Sequence, residues 1–364
     1  GAGRGPGSGS AEDCELLFVN VIGLHAAIWE QLQARRERLP HALLIVGQRG
    51  IGKFALARAF AGSLLCESVG ANGEACGNCL ACGWLAQDNH PDLRLLQPDA
   101  LVVGDVGESG EGEEGGRKKA SQQITIDQLR AIDDFLHVGT HRHGARVVLL
   151  NPAEAMNRST ANALLKSLEE PIASTLFLLI SSEPHRLLPT IRSRCQVVAV
   201  RCPTGQVAGQ WLAAAGVGDA ESWLALAGGS PLLAQELSGS GERMLLDALL
   251  AEVSRGDRLD PLAAAANLDK VVKADKRPAP LKRALDWGQK WLCDLALASA
   301  GLPPRYFLAQ AAQLQGLAQA TDTRKLLAFH RKAIQYKVQC EQPLNARLFL
   351  EDFFMSYARL FRTS

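Results

Sequence analysis

Gly47-Gln48-Arg49-Gly50-Ile51-Gly52-Lys53 stands between a continuously apolar run, Ala42–Val46, and a helical stretch, Lys53–Leu65. That is the strand–loop–helix setting of a phosphate-binding loop, G-x-x-x-x-G-K-[ST]. Its glycines let backbone amides curl around an anion, and the helix N-terminus adds partial positive charge. Gly47, Gly50, Gly52 and Lys53 are the candidate phosphate-binding residues, Lys53 being the one that would reach the outer phosphates. Such a loop needs a parallel sheet behind it. Four further runs, Leu93–Leu96, Arg146–Leu150, Leu176–Ser181 and Gln196–Val200, supply one. Each is nearly continuously apolar, the mark of strands buried on both faces. They alternate with helical stretches at Ala26–Glu37, Ile126–His137 and Ser159–Glu169, which predicts a doubly wound α/β domain.

The loop lacks parts that hydrolysis requires. Phe54 occupies the position of the hydroxyl that ligates Mg²⁺, and a phenyl ring cannot bind a hard cation. The third strand should end in an acidic pair that holds the metal through water. Val147-Val148-Leu149-Leu150 is followed instead by neutral Asn151 and by Pro152. Glu154 lies off that position and reads as a solvated residue opening a helix. ATP or ADP binding is therefore expected to be weak or absent, and hydrolysis by this chain alone is not expected.

The remainder excludes several classes. The 39 Lys+Arg balance 38 Asp+Glu among 364 residues, which removes a global basic field as the basis of function. A hydrophobic content of 47% removes a wholly disordered chain, and the apolar runs are strand-sized, too short for a membrane helix. The opening GAGRGPGSGS has no apolar signal region, so 1–12 is expected to be a disordered tail or an artificial scar outside the fold. Gly- and Glu-rich 104–119 cannot bury a core and is expected to be a flexible insertion. Beyond Pro203 the strands stop. Short helices are expected at Gln206–Ala215 and Glu221–Leu226, another after Gly228-Gly229-Ser230-Pro231, and a long helical region with breaks at Asp260-Pro261, Pro278–Pro280 and Pro303-Pro304. Leu281, Leu285, Leu292 and Leu295, and then Leu348, Phe353 and Leu360, fall near helical spacing and read as core or subunit interface. Arg142 and Arg146, and the group Lys270, Lys273, Lys276, Arg277, Lys282 and Arg283, read as solvated charge, with DNA contact the lesser alternative.

Nine cysteines are an odd number, with four inside Cys66–Cys82, unlike a secreted disulfide framework. Cys66, Cys76, Cys79 and Cys82 can close a tetrahedral metal site. C-x₂-C-x₂-C also begins an iron–sulfur pattern, so spacing alone leaves zinc and iron–sulfur both open. Gly73, Gly77 and Gly83 place the cluster in a loop. His90 is a substitute ligand on paper but reads better as turn structure before a strand. Cys14, Cys195, Cys202, Cys293 and Cys340 are expected to be free thiols in a reducing, cytoplasmic compartment.

Five segments together resemble the AAA+ subunits of bacterial clamp loaders: HALLIVGQRGIGK (His41–Lys53), the four-cysteine cluster, HPDL (His90–Leu93), NALLKSLEEP (Asn162–Pro171) and SSEPHRLLPTIRSRC (Ser181–Cys195). The missing hydroxyl and acidic pair resemble the delta-prime family of DNA polymerase III clamp loaders and not the ATPase gamma/tau subunits. The resemblance is strong over Leu39–Cys202 and weaker through Gly228–Pro231 and QPLNARLFLEDFFMSY. It implies an α/β P-loop AAA+ domain with a parallel sheet over 13–203, carrying a zinc-binding module at 66–82. A small helical lid domain over 204–243 and an all-α collar (oligomerisation) domain over 244–364 would follow. Active relatives carry a lid arginine soon after a Gly-Ser pair, where this chain has Pro231 and Leu232 after Gly229-Ser230.

The resemblance further implies that Arg194, in Ser193-Arg194-Cys195, reaches into a neighbouring subunit's ATP site, with Arg192 a decoy two residues away. An arginine fork neutralises charge spread over the transferring phosphoryl oxygens. Structural zinc on the four cysteines is also implied. The implied partners are the gamma/tau ATPase subunits and the delta subunit, with the beta sliding clamp and primer-template DNA met through the complex, and no membrane. DNA-directed polymerase activity would belong to the holoenzyme by association. Two other readings are carried beside this one: an autonomous AAA+ ATPase with an atypical magnesium site, and a zinc-dependent nucleic-acid-binding module.

Overall fold

Continuous apolarity becomes burial on both faces for only part of the sheet in the computed structural model, which describes residues 21–102, 121–137, 145–277, 279–339 and 345–361. The tail 1–12, the insertion 104–119, Arg142, Cys14 and Cys340 lie outside the described residues. The chain divides into two compact units, Gly1–Pro203 and Thr204–Ser364.

The first unit is built on a five-stranded parallel sheet of order β2-β3-β4-β1-β5. Its strands are β1 (Ala42–Val46), β2 (Leu93–Leu96), β3 (Arg146–Leu150), β4 (Thr175–Ser181) and β5 (Gln196–Ala199). β3 and β4 are buried throughout and β1 nearly so, but β2 and β5 depart from the expected two-faced burial: each buries one residue of four, because they form the sheet's edges. Helices α1 (Ala26–Ala34), α2 (Lys53–Leu65), α3 (Leu80–Ala86), α4 (Asp99–Val102), α5 (Ile126–His137), α6 (Arg158–Glu169) and α7 (Pro189–Arg192) connect them. One core joins Leu44, Val148, Leu150, Phe177 and Leu179 of the sheet to Leu129 and Ile132 of α5 and Leu164 and Leu168 of α6. Because all strands are parallel, their carboxyl ends share one edge of the sheet, where open α/β sheets bind ligands. β1 lies next to β4, so the glycine loop after β1 meets the segment after β4.

Local chemistry moves several boundaries. The helix expected over Ala26–Glu37 stops at Ala34 and gives way to a 3₁₀ turn, Arg36–Arg38, before Pro40. Asn157 caps α6, accepting from the Thr160 amide at 2.8 Å, so the helix begins at Arg158. Arg146, expected as solvated charge, is buried: its guanidinium donates to the Leu136 carbonyl and sits over the Phe135 ring.

Among the described residues the second unit contains helices and no strand: α8 (Gly205–Ala214), α9 (Ala220–Leu226), α10 (Pro231–Gly239), α11 (Glu242–Val253), α12 (Pro261–Ala274), α13 (Pro280–Ser299), α14 (Ala311–Gln319), α15 (Thr323–Gln339) and α16 (Ala346–Ala358). Asp260 caps α12 through the Leu262 and Ala263 amides, with Pro261 in the first turn. Leu285, Leu292 and Leu295 of α13 are buried with Trp291, whose indole donates to the buried Tyr357 hydroxyl, which in turn donates to the Val253 carbonyl. Leu348 departs from its expected place and is exposed, while Phe353 and Leu360 are buried. Gly288 lets α13 approach α16, since a Cβ there would stand 2.7 Å from the Phe353 ring. Among the described residues no helix is long and apolar enough to cross a membrane.

Candidate functional site

The loop after β1 has the backbone its sequence demands. Gly50 and Gly52 adopt left-handed φ of 77° and 92°, conformations that side-chain-bearing residues rarely hold. A Cβ on Gly47 would lie 2.4 Å from the Val200 carbonyl oxygen, so the edge strand's backbone requires that glycine whether or not phosphate binds. His25, just before α1, donates from Nε2 to the Ile51 carbonyl at 2.5 Å and ties the loop down. Lys53 opens α2 but is buried, its ammonium donating to the Gln48 carbonyl at 2.7 Å and to Ser182 Oγ at 2.9 Å. Burial lowers its pKa from 10.5 to about 8, the carboxylate of Glu154 pulling it back up. Phe54 beside it is half-buried.

Glu154 is not the solvated residue expected from sequence. Its Oε1 accepts from the Ser182 amide at 2.9 Å and the Glu183 amide at 3.2 Å, and its Oε2 is buried. It thereby braces the turn after β4 that presents Ser182 to Lys53. Gln48, Ser182 and Glu154 are the residues around Lys53 whose part in the candidate site motif reading missed. Only the placement of Ser181-Ser182 at a buried strand's carboxyl end pointed to one of them.

Arg194 follows the single turn α7, whose Pro189 fixes the first helical position and whose Ile191 is fully buried. Cys195 is also buried, which pushes its thiol pKa up to about 11. Between these two anchors the Arg194 side chain runs along the surface, about one-third exposed. Nη1 donates to the Thr190 carbonyl at 2.9 Å, and Nη2 lies 2.6 Å from Glu169 Oε1 at the end of α6. Arg192 is exposed, and its side chain has no partner among the described residues.

The four cysteines converge. Sγ–Sγ separations are 3.9 Å for Cys66–Cys79, 3.9 Å for Cys76–Cys82 and 3.7 Å for Cys66–Cys82. All four sulfurs lie within 4.8 Å of one another. A tetrahedron with metal–sulfur bonds of ~2.3 Å has edges of ~3.8 Å, so the set fits one ion. Cys66 caps the carboxyl end of α2, at the opposite end of the same helix from Lys53. The cluster is not confined to a loop: Cys79 caps α3, accepting from the Cys82 amide, and Cys82 sits in that helix's first turn. Trp29 Nε1 donates to the Asn72 carbonyl at 2.9 Å, Gln33 Nε2 to the Gly73 carbonyl at 3.0 Å, and Arg58 to the Leu85 carbonyl at 2.9 Å, fastening the module to α1 and α2. Burial raises the thiol pKa of Cys66 and Cys82, whereas amide hydrogen bonds from Asn78 and Cys79 lower that of Cys76 to about 6. A divalent ion would reverse the penalty on the buried thiolates. His90 stays outside this set. Its Nδ1 accepts from the Asp92 amide at 3.0 Å, closing the turn into β2. Cys195, Cys202 and Cys293 are free thiols.

In the second unit, Gly228 and Gly229 have φ of 65° and 90°, ending α9, and Ser230-Pro231 opens α10. Ser230 is fully buried. The basic group expected as solvated charge divides. Lys270 and Lys276 are exposed, and Lys273 is exposed but pairs with the buried Asp269 at 2.6 Å, while Arg277 and Arg283 are spent internally on Glu242 and Asp275, with Arg277 Nη1 2.9 Å from Glu242 Oε2. Glu242 also accepts from the Trp287 indole at 2.6 Å. Carboxylates thus pair with Lys273, Arg277 and Arg283, three of the six cations, leaving a smaller positive surface than the sequence suggests.

A family model described as DNA polymerase III, delta subunit, matches residues 25–203. The DNA polymerase III subunit delta' of Pseudomonas aeruginosa is 38% identical over 320 residues, covering 86% of this chain and 85% of its own length. The Escherichia coli subunit of the same name is 33% identical over 231 residues, covering 62% of this chain and 63% of its own. A crystal structure of a gamma subunit-related protein of Thermotoga maritima aligns over 92% of this chain and 99% of its own at 19% identity, with a TM-score of 0.42.

Proposed function

The chain belongs to the DNA polymerase III delta' family, and from that membership we propose that it is a clamp-loader subunit that does not hydrolyse ATP and lends Arg194 to the ATP site of a neighbouring gamma/tau subunit. In this role it joins the delta subunit and the ATPase subunits, and the complex loads the beta sliding clamp onto primer-template DNA during replication. Polymerase chemistry belongs to the holoenzyme, and the chain acts in the cytoplasm at the replisome.

One contrast carries the reading. Lys53, the residue that would meet outer phosphates, is buried and bonded to its own loop and to Ser182, while Arg194 runs along the surface between two buried anchors. A guanidinium cannot lose its charge near neutral pH and offers a planar fork of donors to phosphate oxygens. Phe54 supplies no metal ligand and neutral Asn151 stands where a carboxylate is needed, so nucleotide at Gly47, Gly50, Gly52 and Lys53 is weak or absent. Cys66, Cys76, Cys79 and Cys82 hold structural zinc with no open position, a choice supported by their convergence on a volume fit for one ion. Residues 204–243 act as a lid and 244–364 as the oligomerising collar.

Reconstitution with the ATPase subunits tests this. Arg194→Ala is expected to leave the chain folded and assembled but to lower DNA-dependent ATP turnover at the adjoining site, where such fingers are worth about 10³–10⁵ in kcat. Lys53→Ala should leave turnover unchanged. Unchanged turnover with Arg194→Ala refutes the finger. ATP hydrolysis by the isolated chain that disappears with Lys53→Ala would establish an autonomous ATPase, a reading kept by the intact glycines and lysine.

A further inference from the structure

Glu169 is the last residue of α6, where a carboxylate faces the partial negative charge of the helix's carboxyl end, an unfavourable place for an acid. What it meets there is Arg194: Glu169 Oε1 lies 2.6 Å from Nη2. Nη1 donates to the Thr190 carbonyl at 2.9 Å and reaches Ser193 Oγ at 3.4 Å. The guanidinium is therefore held at separate points by two elements, each fixed in the core, α6 through Leu164 and Leu168 and α7 through Ile191. Of its five N–H groups, these contacts leave the Nε–H and one Nη2–H unspent among the described residues. Arg192, on the same turn, receives no such support. Holding a long, rotamer-rich side chain in one conformation removes an entropy cost that would otherwise fall at the moment of binding.

We propose that Glu169 is a positioning residue for Arg194: it orders the guanidinium in advance, with the unspent N–H groups available to a phosphate on the neighbouring subunit. This rests on the finger reading given above. A competing consequence of the same contact is that the carboxylate neutralises the arginine and must be displaced by phosphate. The two predict opposite signs. Ordering in advance makes loss of Glu169 slow the reaction, whereas competition makes its loss accelerate it.

The test uses the reconstituted complex and DNA-dependent ATP turnover with Glu169→Ala, Glu169→Gln, Arg194→Ala and the double variant Glu169→Ala/Arg194→Ala. Glu169→Ala should lower kcat by about twofold to tenfold, the worth of ordering one such side chain, with KM for ATP little changed. Glu169→Gln keeps an acceptor for Nη2 and should recover most of the loss. The double variant should be no slower than Arg194→Ala alone, because two residues acting through one group are not additive. Turnover that rises or stays unchanged with Glu169→Ala while Arg194→Ala is slow overturns the positioning role alone. Equal loss in Glu169→Ala and Glu169→Gln, or a further loss in the double variant, overturns it as well. If Arg194→Ala turns over normally, the finger and the positioning role fall together.

Discussion

Raising the pH from 7 to about 10.5 should stabilise the first unit of this protein relative to its Lys53→Met variant. Lys53 is buried at the head of α2, with its ammonium bonded to the Gln48 carbonyl and Ser182 Oγ. Desolvation outweighs the attraction of Glu154 and holds its pKa at about 8 against 10.5 in water. That difference corresponds to about 3 kcal/mol at ~1.4 kcal/mol per pH unit. Its sign follows from proton counting: between pH 8 and 10.5 the unfolded chain binds the lysine proton and the folded chain has released it. The unfolded state then carries more protons, so stability rises with pH across that window. Below pH 8 both states are protonated and the full cost of burying the charge is present. The hydrogen bonds lost in Lys53→Met shift the variant's stability by a nearly constant amount and leave the slope intact. Denaturant unfolding at several pH values, followed by ¹³C NMR of labelled lysine, measures both quantities. The signal absent from Lys53→Met should titrate near 8, and the stability difference between the proteins should change by about 3 kcal/mol. A midpoint near 10.5, or a difference independent of pH, would refute the argument that this ammonium is held in a dry site.

Two other expectations concern the metal module and the second unit. Elemental analysis should find one zinc per chain with no visible absorption, and a chelator should expose the thiols of Cys66 and Cys82 to titration and the 66–86 segment to protease; charge-transfer bands would instead identify iron, and thiols that stay protected would remove the metal from the account. Asp294 is fully buried and accepts from the amides of Arg305, Tyr306 and Phe307 at 2.9, 2.8 and 2.7 Å. Asp294→Ala leaves three amide donors without this acceptor, at about 1–3 kcal/mol for each left buried and unsatisfied. Thermal unfolding should therefore show a loss of about 3 kcal/mol or more, and a loss under 1 kcal/mol would mean that water or another acceptor replaces the carboxylate.

Burial on two faces writes itself into a strand's composition, and for that reason β1, β3 and β4 were legible within one residue of their ends; β2 and β5 were legible as short apolar runs although the fold leaves them largely unburied. α2 and α5 were legible over their whole length, because a 3.6-residue period and flanking loop residues are local signals. The phosphate loop, the four cysteines and the Ser-Arg-Cys segment were equally visible as patterns of residue type and spacing. α3 was not, since Gly77 and Gly83 read as loop when the Cys79 cap and the module's anchors to α1 and α2 decide otherwise. Charges were the least legible. Whether Arg146 is solvated, whether Glu154 braces a turn and whether Arg277 faces a partner all depend on what the fold brings near. The bond from Lys53 to Ser182 spans 129 residues of chain, and Arg194 finds Glu169 across a whole strand. The sequence by itself determined the five strands, the glycine loop with Phe54 in place of a hydroxyl, and the four-cysteine set, since each follows from local periodicity or from residues close in the chain. Only the tertiary structure decided how each ionised group is compensated, because the free energy of a charge is set by neighbours in space, and parallel strands bring together carboxyl ends that the chain keeps far apart.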